Sequence, residues 1–212
     1  MADGGYPIVL DVRDRSIVVV GGGKVALRKV LGLIESGAKR IKVVSPTFHS
    51  DMPLQVQYIS ESYRREHLLG ASLVFAATDS SQVNDAIVRD ARSAGAWVCR
   101  ADADDDHAGD FATPAMLRQE ELLITVSSGG SPALSALIRD KLKQAIDPRW
   151  GAMAHAMREL RPLVLRSLEP ARRKQAFHEL CSDVALEELS TKGLPGLKNW
   201  LKSKYPELKD AS

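Results

Sequence analysis

Three consecutive glycines at residues 21–23 have the spacing of a phosphate-binding turn. With the next three residues they read Gly-Gly-Gly-Lys-Val-Ala, which fits the pattern G-x-G-x-x-G/A with Ala26 in the last place. In such a pattern Gly21 allows a tight turn, Gly23 lets the backbone approach a pyrophosphate, and Ala26 lets the following helix pack closely. The N-terminus of that helix then presents free N–H groups and its positive dipole end to the phosphates. The motif predicts a dinucleotide site whose first contacts are Gly21, Gly22, Gly23, Lys24 and Val25.

The position expected to bind the ribose of a dinucleotide has an unusual composition. About 20 residues beyond such a turn, an acidic residue commonly binds the ribose of NAD. Here that place holds Ser45, Pro46 and Thr47, so it offers neither an acid nor an arginine for a 2′-phosphate. Ser45 and Thr47 could bond the ribose hydroxyls directly. These residues therefore leave NAD and NADP both open.

Thr78 and Asp79 follow another buried run of residues, 73–77. Ligands of open α/β sheets bind at the carboxyl ends of the strands, so both residues are candidates for cofactor contact. The alternative is that Asp79 or Ser80 simply caps the next helix.

The elements that must position these residues alternate along the first half of the chain. Strands are predicted at residues 16–20, 41–44, 56–59, 73–77, 96–99 and 122–126, and helices follow the glycine turn and cover residues 82–94. A strand, a turn, a helix and a second strand within about 30 residues form a right-handed βαβ unit. The alternation predicts an α/β fold, a Rossmann-type doubly wound parallel sheet.

Beyond about residue 113 the pattern changes. Ser131 and Pro132 form a helix start, and Leu134 and Leu137 begin an apolar helix face. From residue 149 no strand is evident, and helical segments are predicted to break at Pro162, Pro170 and Pro195. We therefore predict a dinucleotide-binding domain at 1–113, a middle segment at 114–149 and a small helical C-terminal domain at 150–212.

The composition excludes several classes of function. The 29 Lys and Arg residues nearly balance the 27 Asp and Glu residues, which gives a net charge of +2 and argues against a nucleic-acid partner. No apolar run approaches the ~20 residues of a membrane helix, and the chain begins without the pattern of a signal peptide. Neither the two cysteines nor the five histidines show ligand spacing, so no resident metal is predicted. We expect a cytoplasmic protein.

Four blocks of residues together resemble a known family, the precorrin-2 dehydrogenases that form the N-terminal part of siroheme synthases. The blocks are residues 21–29, 77–84, 111–114 and 126–142, the last containing Val-Ser-Ser-Gly-Gly-Ser-Pro-Ala-Leu. The resemblance covers about residues 6–145. It implies oxidation of precorrin-2, a tetrapyrrole, to sirohydrochlorin with NAD⁺ as cofactor, and in some members insertion of Fe²⁺. It also implies that segment 114–149 forms a homodimer, although its apolar residues at 122–126 and 134–142 are equally compatible with burial inside one chain.

The resemblance further implies a catalytic aspartate after the strand at 96–99. Counting forward from Ala77 places Asp102 there, whereas counting back from Phe111 selects Asp104, because the loop between them is longer than is usual in the family. We prefer Asp102, since strands keep their register better than loops do. A carboxylate at this place can accept the proton that leaves the substrate.

Precorrin-2 carries eight carboxylates, so basic side chains are expected around it. We predict substrate contacts at Arg28, Arg100 and Arg139, with Arg100 the first to test. Ser128 either touches the substrate or caps the helix that begins near Ser131.

Two other readings use parts of the same sequence. A non-catalytic NAD-sensing module would need the glycine turn but neither Asp102 nor a basic cleft. A short-chain dehydrogenase needs Tyr-x-x-x-Lys on a helix; Tyr205 and Lys209 have that spacing, but Pro206 lies between them, and we interpret the match as chance.

Overall fold

A computed structural model describes residues 5–101 and 109–208 of the protein. The chain divides after Thr113 into two compact units. The further boundary that we predict near residue 150 stays a prediction.

The first unit contains a five-stranded parallel sheet with the strand order β3-β2-β1-β4-β5. Its strands are β1 (Ser16–Val20), β2 (Arg40–Val44), β3 (Gln57–Ile59), β4 (Leu73–Ala76) and β5 (Trp97–Arg100). Side chains of β1 alternate between the two faces, so its β-branched run is buried on both. The predicted parallel sheet is confirmed.

Helices cover both faces of this sheet. Helix α1 (Lys24–Glu35) packs Ala26 and Val30 against one face, together with Ile17 and Val19 of β1. Helix α2 (Ser81–Ser93) and a 3₁₀ helix (Arg65–Leu68) cover the other face. The unit is therefore doubly wound, as the alternation of elements predicts.

The second unit begins with a β-hairpin, of which the sequence predicts only the second strand. Strand β7 (Leu122–Val126) was expected, but it pairs antiparallel with β6 (Ala115–Gln119) in a separate two-stranded sheet and does not extend the parallel one. The turn between them places Glu120 at a φ of 49°, a left-handed conformation that gives no glycine signal. Because β6 alternates weakly, its strand character depends on its partner.

Four helices complete the second unit. They are α3 (Pro132–Ala145), α4 (Arg149–Ser167), α5 (Pro170–Leu180) and α6 (Asp183–Lys204). Buried side chains of α4, α5 and α6 share one apolar core that includes Leu160, Leu180 and Leu197. In the described part of the chain, no strand lies beyond residue 126, in agreement with the predicted helical tail.

The three prolines of the tail differ in their effect. Pro170 begins α5, and α6 is kinked at Gly193 (φ 65°), two residues before Pro195. The predicted break at Pro162 is wrong, because α4 continues through it. A proline inside a helix costs about 3 kcal/mol, whereas Leu163 and Val164 are both buried in the core and each contributes about 1.5–3 kcal/mol. Packing on the inner side of α4 therefore outweighs the proline on its exposed side.

Candidate functional site

The carboxyl ends of the central strands meet at one edge of the first unit. Gly21 N–H donates to the carbonyl of Val44 at 2.9 Å, and Ala77 N–H donates to that of Val20 at 2.8 Å. The chain runs from β1 through α1 to β2 on one side of β1, whereas β4 lies on its other side. The edge between β1 and β4 is thus a topological switch point, the place where sheets of this kind bind ligands.

The three glycines at this edge have different surroundings. Gly21 has a φ of 127°, and a Cβ atom built there would lie 2.2 Å from the carbonyl oxygen of Ala77. At Gly22 a Cβ atom would lie 1.8 Å from the carbonyl oxygen of Thr47. At Gly23 it would meet nothing within 4 Å. The first two glycines are therefore required by the fold, while the third leaves open space in front of α1.

The N-terminus of α1 has the properties of an anion site. Gly23 is the N-cap residue and has no side chain to occupy the free N–H groups, and the first turn contains no acidic residue. Lys24 and Val25 are exposed in that turn, and Ala26 is fully buried against the sheet. A pyrophosphate fits this end, because the backbone N–H groups and the helix dipole both favour negative charge.

The residues predicted to bind ribose separate into two groups. Ser45 is buried, and its Oγ would lie 2.7 Å from a Cβ atom at Gly22, so this side chain supports the glycine turn. Pro46 and Thr47 are exposed beside it. The N–H of His49 donates to the carbonyl of Gly22 at 2.7 Å and ties the loop after β2 to the turn. The ribose contacts stay predictions, for which Thr47 is better placed than Ser45.

Thr78 is held by the amide of Asn84, which is 0% exposed. Asn84 Oδ1 accepts from Thr78 N–H at 3.2 Å and lies 2.8 Å from Thr78 Oγ1, and Asn84 Nδ2 donates to the carbonyl of Thr78 at 3.1 Å. Ser80 provides the N-cap of α2, while Asp79 is exposed. Asn84 was not among our predicted site residues; the available signal is a polar residue on the otherwise apolar inner face of α2.

Arg100, the last residue of β5, is turned toward α2. Its guanidinium forms an ion pair with Asp85 and donates to Ser81 Oγ at 2.7 Å, and the residue is buried. These contacts give Arg100 a structural task at the base of α2. Our expectation that it contacts substrate stays a prediction.

Lys29 is a second basic residue with a task inside the first unit. Its ammonium group donates to Thr113 Oγ1. Burial lowers the pKa of Lys29, and burial raises the pKa of the nearby Cys99 thiol. Arg28, by contrast, is exposed on α1 and remains available to an anionic ligand.

In the second unit, Ser128 and Arg139, which we predict to contact substrate, form hydrogen bonds with residues close to them in the chain. Ser128 Oγ lies 2.7 Å from the carbonyl oxygen of Ser131 and 2.6 Å from Ser135 Oγ. Ser131, not Ser128, caps α3. Arg139 donates to Asp140 through Nε at 2.8 Å. Substrate contact by Ser128 or Arg139 stays a prediction.

Asp102 and Asp104, our two candidates for the catalytic aspartate, lie outside the described residues. The chain on either side of them is fixed to the sheet. Ala101 N–H donates to the carbonyl of Ala76 at 2.9 Å, and Asp110 N–H donates to that of Val98 at 2.7 Å. Phe111 then packs edge-to-face on Phe75, with ring centroids 5.5 Å apart.

Two features of residues 5–101 and 109–208 bear on metals and membranes. Within these ranges no three His, Cys, Asp or Glu side chains converge as metal ligands. Nor does any helix in them combine the length and apolarity of a membrane span.

The sheet is parallel and doubly wound, and the glycine turn at its switch point leads into a helix without a capping side chain. These features define a dinucleotide-binding α/β protein. Residues 8–115 match the family model described as "Putative NAD(P)-binding". The chain therefore belongs to this NAD(P)-binding family.

The chain is similar to several siroheme synthases. That of Methylobacillus flagellatus is 32% identical over 179 residues, which cover 82% of this chain and 38% of the relative. That of Nitrosospira multiformis is 34% identical over 206 residues, 92% of this chain and 43% of the relative. The chain thus spans less than half the length of these relatives.

A solved structure is similar over nearly the whole chain. It is titled "SirC, precorrin-2 dehydrogenase", and it matches with a TM-score of 0.75 and 25% identity over 94% of this chain and 100% of that one. The similarity includes both the sheet and the helical tail and confirms the predicted fold class.

Proposed function

We propose that this protein oxidises precorrin-2 to sirohydrochlorin with NAD⁺ as hydride acceptor. The observation that carries the proposal is the match to a precorrin-2 dehydrogenase over the full length of that chain, combined with an open anion site at the N-terminus of α1. The similarity to siroheme synthases supports the same substrate class.

Different residues of this chain would bind the cofactor, accept the proton and bind the substrate. Gly23 and the N-terminus of α1 hold the pyrophosphate, and Thr78 contacts the cofactor on the β4 side of the glycine turn. Asp102 accepts the proton released from the substrate, while Arg28 pairs with a carboxylate of the substrate. The cofactor supplies the redox chemistry once it is bound.

NAD is the better match of the two nicotinamide dinucleotides. A 2′-phosphate is commonly bound by an arginine near the end of the second strand. The segment after β2, residues 45–49, contains no arginine or lysine, and the Nδ1 atom of its single histidine, His49, accepts from Asp51 N–H at 3.2 Å. This segment lacks an acid as well, so the resemblance to precorrin-2 dehydrogenases, which implies NAD⁺, carries our assignment of NAD. We also propose that the reaction takes place in the cytoplasm.

The proposal is tested by incubating the purified protein with precorrin-2 and NAD⁺. We expect the absorbance of NADH to rise in step with that of sirohydrochlorin, and NADP⁺ to support a much lower rate. NAD⁺ binding without turnover would contradict the proposal and favour the NAD-sensing module. Addition of Fe²⁺ to the sirohydrochlorin formed examines the predicted metal insertion separately, with the metal as substrate.

We also propose that a second copy of the chain covers α3. Only Ser135 is buried in this helix, whereas Leu134 and Leu137 are 46% and 54% exposed, and Met116 of β6 is also exposed. An exposed apolar patch of this kind marks an interaction surface. The resemblance of segment 114–149 to the dimerisation segment of the family supports a homodimer.

Leu137→Glu is expected to convert the dimer into a monomer, because a charge on the apolar surface must be desolvated on association. Light scattering coupled to size exclusion measures the mass. Val184→Glu serves as the control, since Val184 is also apolar and 60% exposed but lies on α6. A dimer in the Leu137→Glu variant, or a monomeric parent protein, would contradict this assignment.

A further inference from the structure

The buried side chain of Asn84 bonds the backbone of Thr78 on both its N–H and its carbonyl. It lies on the inner face of α2 among Val83, Ile87 and Val88, where an apolar residue would pack without polar groups to satisfy. Its side chain instead bonds the N–H and the carbonyl of Thr78 and lies beside the Thr78 hydroxyl. Both backbone groups of one loop residue are therefore held by one side chain.

The residue held in this way lies directly beside the glycine turn. A Cβ atom at Gly21 would lie 2.2 Å from the Ala77 carbonyl oxygen and 3.2 Å from Thr78 N, so the turn and the loop after β4 are in close contact. Any displacement of Thr78 therefore changes the wall of the site next to the open space at Gly23.

The helix that carries Asn84 is anchored from a second direction. Arg100, at the end of β5, pairs with Asp85 and bonds Ser81 in the first turns of α2. The start of α2 is thus tied to the ends of both β4 and β5. We call these five residues, Thr78, Ser81, Asn84, Asp85 and Arg100, the α2 latch.

The strand order shows which part of a dinucleotide the latch would affect. A dinucleotide crosses the switch point with its pyrophosphate at the turn after β1, and its two nucleosides extend to opposite sides. The loop after β2, residues 45–49, borders one side and the latch borders the other. The two sides are attached to different strands: His49 fixes the loop after β2 to Gly22, whereas the latch joins α2 to the ends of β4 and β5.

We propose that Asn84 is a positioning residue that acts through Thr78 and sets the affinity and orientation of the nicotinamide half of the cofactor. The adenosine and pyrophosphate half is left to the glycine turn and the loop after β2. This inference rests on the proposed NAD-dependent function.

The experiment compares two ligands by calorimetry: NAD⁺, which has both halves, and ADP, which has only the adenosine and pyrophosphate half. Asn84→Leu fills the same space without the amide, and Asn84→Asp keeps an acceptor for Thr78 N–H but loses the donor to its carbonyl. We expect the Kd for NAD⁺ to rise about tenfold in both variants, and that for ADP to change less than twofold. The rate of hydride transfer should fall with NAD⁺ affinity.

Asp90→Leu is the matched control, because Asp90 also lies on α2 and accepts a hydrogen bond, from Tyr63 Oη at 2.9 Å, that leucine cannot accept. It should lower the melting temperature without changing the ratio of the two Kd values. Ser81→Ala, which removes a bond from Arg100 at the start of α2 and leaves Thr78 and Asn84 intact, should raise the Kd for NAD⁺ but not that for ADP, and gives a second measure if the Asn84 variants do not fold. If the Asn84 variants lose affinity for NAD⁺ and ADP equally, or lose none for either, the inference is overturned. The proposed function would still hold, provided that the parent protein turns over. A parent protein that does not bind NAD⁺ would overturn the inference and the proposed function together.

Discussion

Gly23→Ala is expected to raise the Kd for NAD⁺ at least about a hundredfold while the protein remains folded. The added methyl group meets no protein atom within 4 Å and the residue has a φ of −83°, which alanine adopts freely. Alanine is a poorer N-cap than glycine, so the free energy of unfolding should fall by about 1 kcal/mol or less. The methyl group does, however, occupy the space through which a pyrophosphate approaches the N-terminus of α1.

Gly22→Ala is the matched variant, and we expect it to lower the stability of the fold where Gly23→Ala lowers the affinity for NAD⁺. Its methyl group would overlap the carbonyl oxygen of Thr47 at 1.8 Å, so the loop after β2 must move before the chain can fold. We expect a fall in unfolding free energy of about 3 kcal/mol or more, in the range of severe core disruptions. Calorimetric titration and thermal melting of both variants separate the two effects. If Gly23→Ala binds NAD⁺ as tightly as the parent protein, the turn is not the pyrophosphate site.

This pair shows both the strength and the limit of the sequence pattern. The motif assigns tasks to Gly21, Gly23 and Ala26, and the structure is consistent with each of them. Gly22 occupies a position that the motif leaves free. Its requirement comes from the loop after β2, more than 20 residues further along the chain, a contact that no local pattern records.

The same distinction separates the correct fold predictions from the others. Strands β1 and β4 are continuous apolar runs, and their burial on both faces follows directly from composition. Strand β6 has no such run and is defined by its pairing with β7, while the proline inside α4 is tolerated because of distant core contacts. Local patterns therefore predict elements that are buried by their own composition, and they miss those stabilised by a partner.

Charged residues of the site show this limit most clearly. Arg100 has the residue type and strand-end position of a substrate ligand, yet its guanidinium bonds Asp85 and Ser81 on a helix that precedes it in the chain. Asn84 and Thr78 both lie in the block 77–84, but nothing in the sequence shows that the side chain of one bonds the backbone of the other. Which polar group meets which is decided by the packing of α2 on the sheet.

Asp102→Asn is expected to lower kcat by about 10²- to 10⁴-fold, the usual contribution of a general acid–base group. Asparagine is nearly isosteric with aspartate but cannot accept the proton, so NAD⁺ binding, which depends on the glycine turn, should be unchanged. Strand β5 ends at Arg100, and Ala101 is bonded to Ala76 at the carboxyl edge. Asp102 is the next residue in the sequence and lies outside the described residues, so our preference for it over Asp104 stays a prediction.

Asp104→Asn and Asp106→Asn provide the comparison, because all three changes remove one carboxylate from the same short segment, residues 102–108. A general effect of negative charge near an anionic substrate would alter KM similarly in all three variants. Loss of a proton acceptor would lower kcat in one variant alone and would remove the acidic limb of its pH–rate profile. If Asp104→Asn is the variant that loses kcat, Asp104 is the base, and the count back from Phe111 is correct where the count forward from Ala77 is wrong.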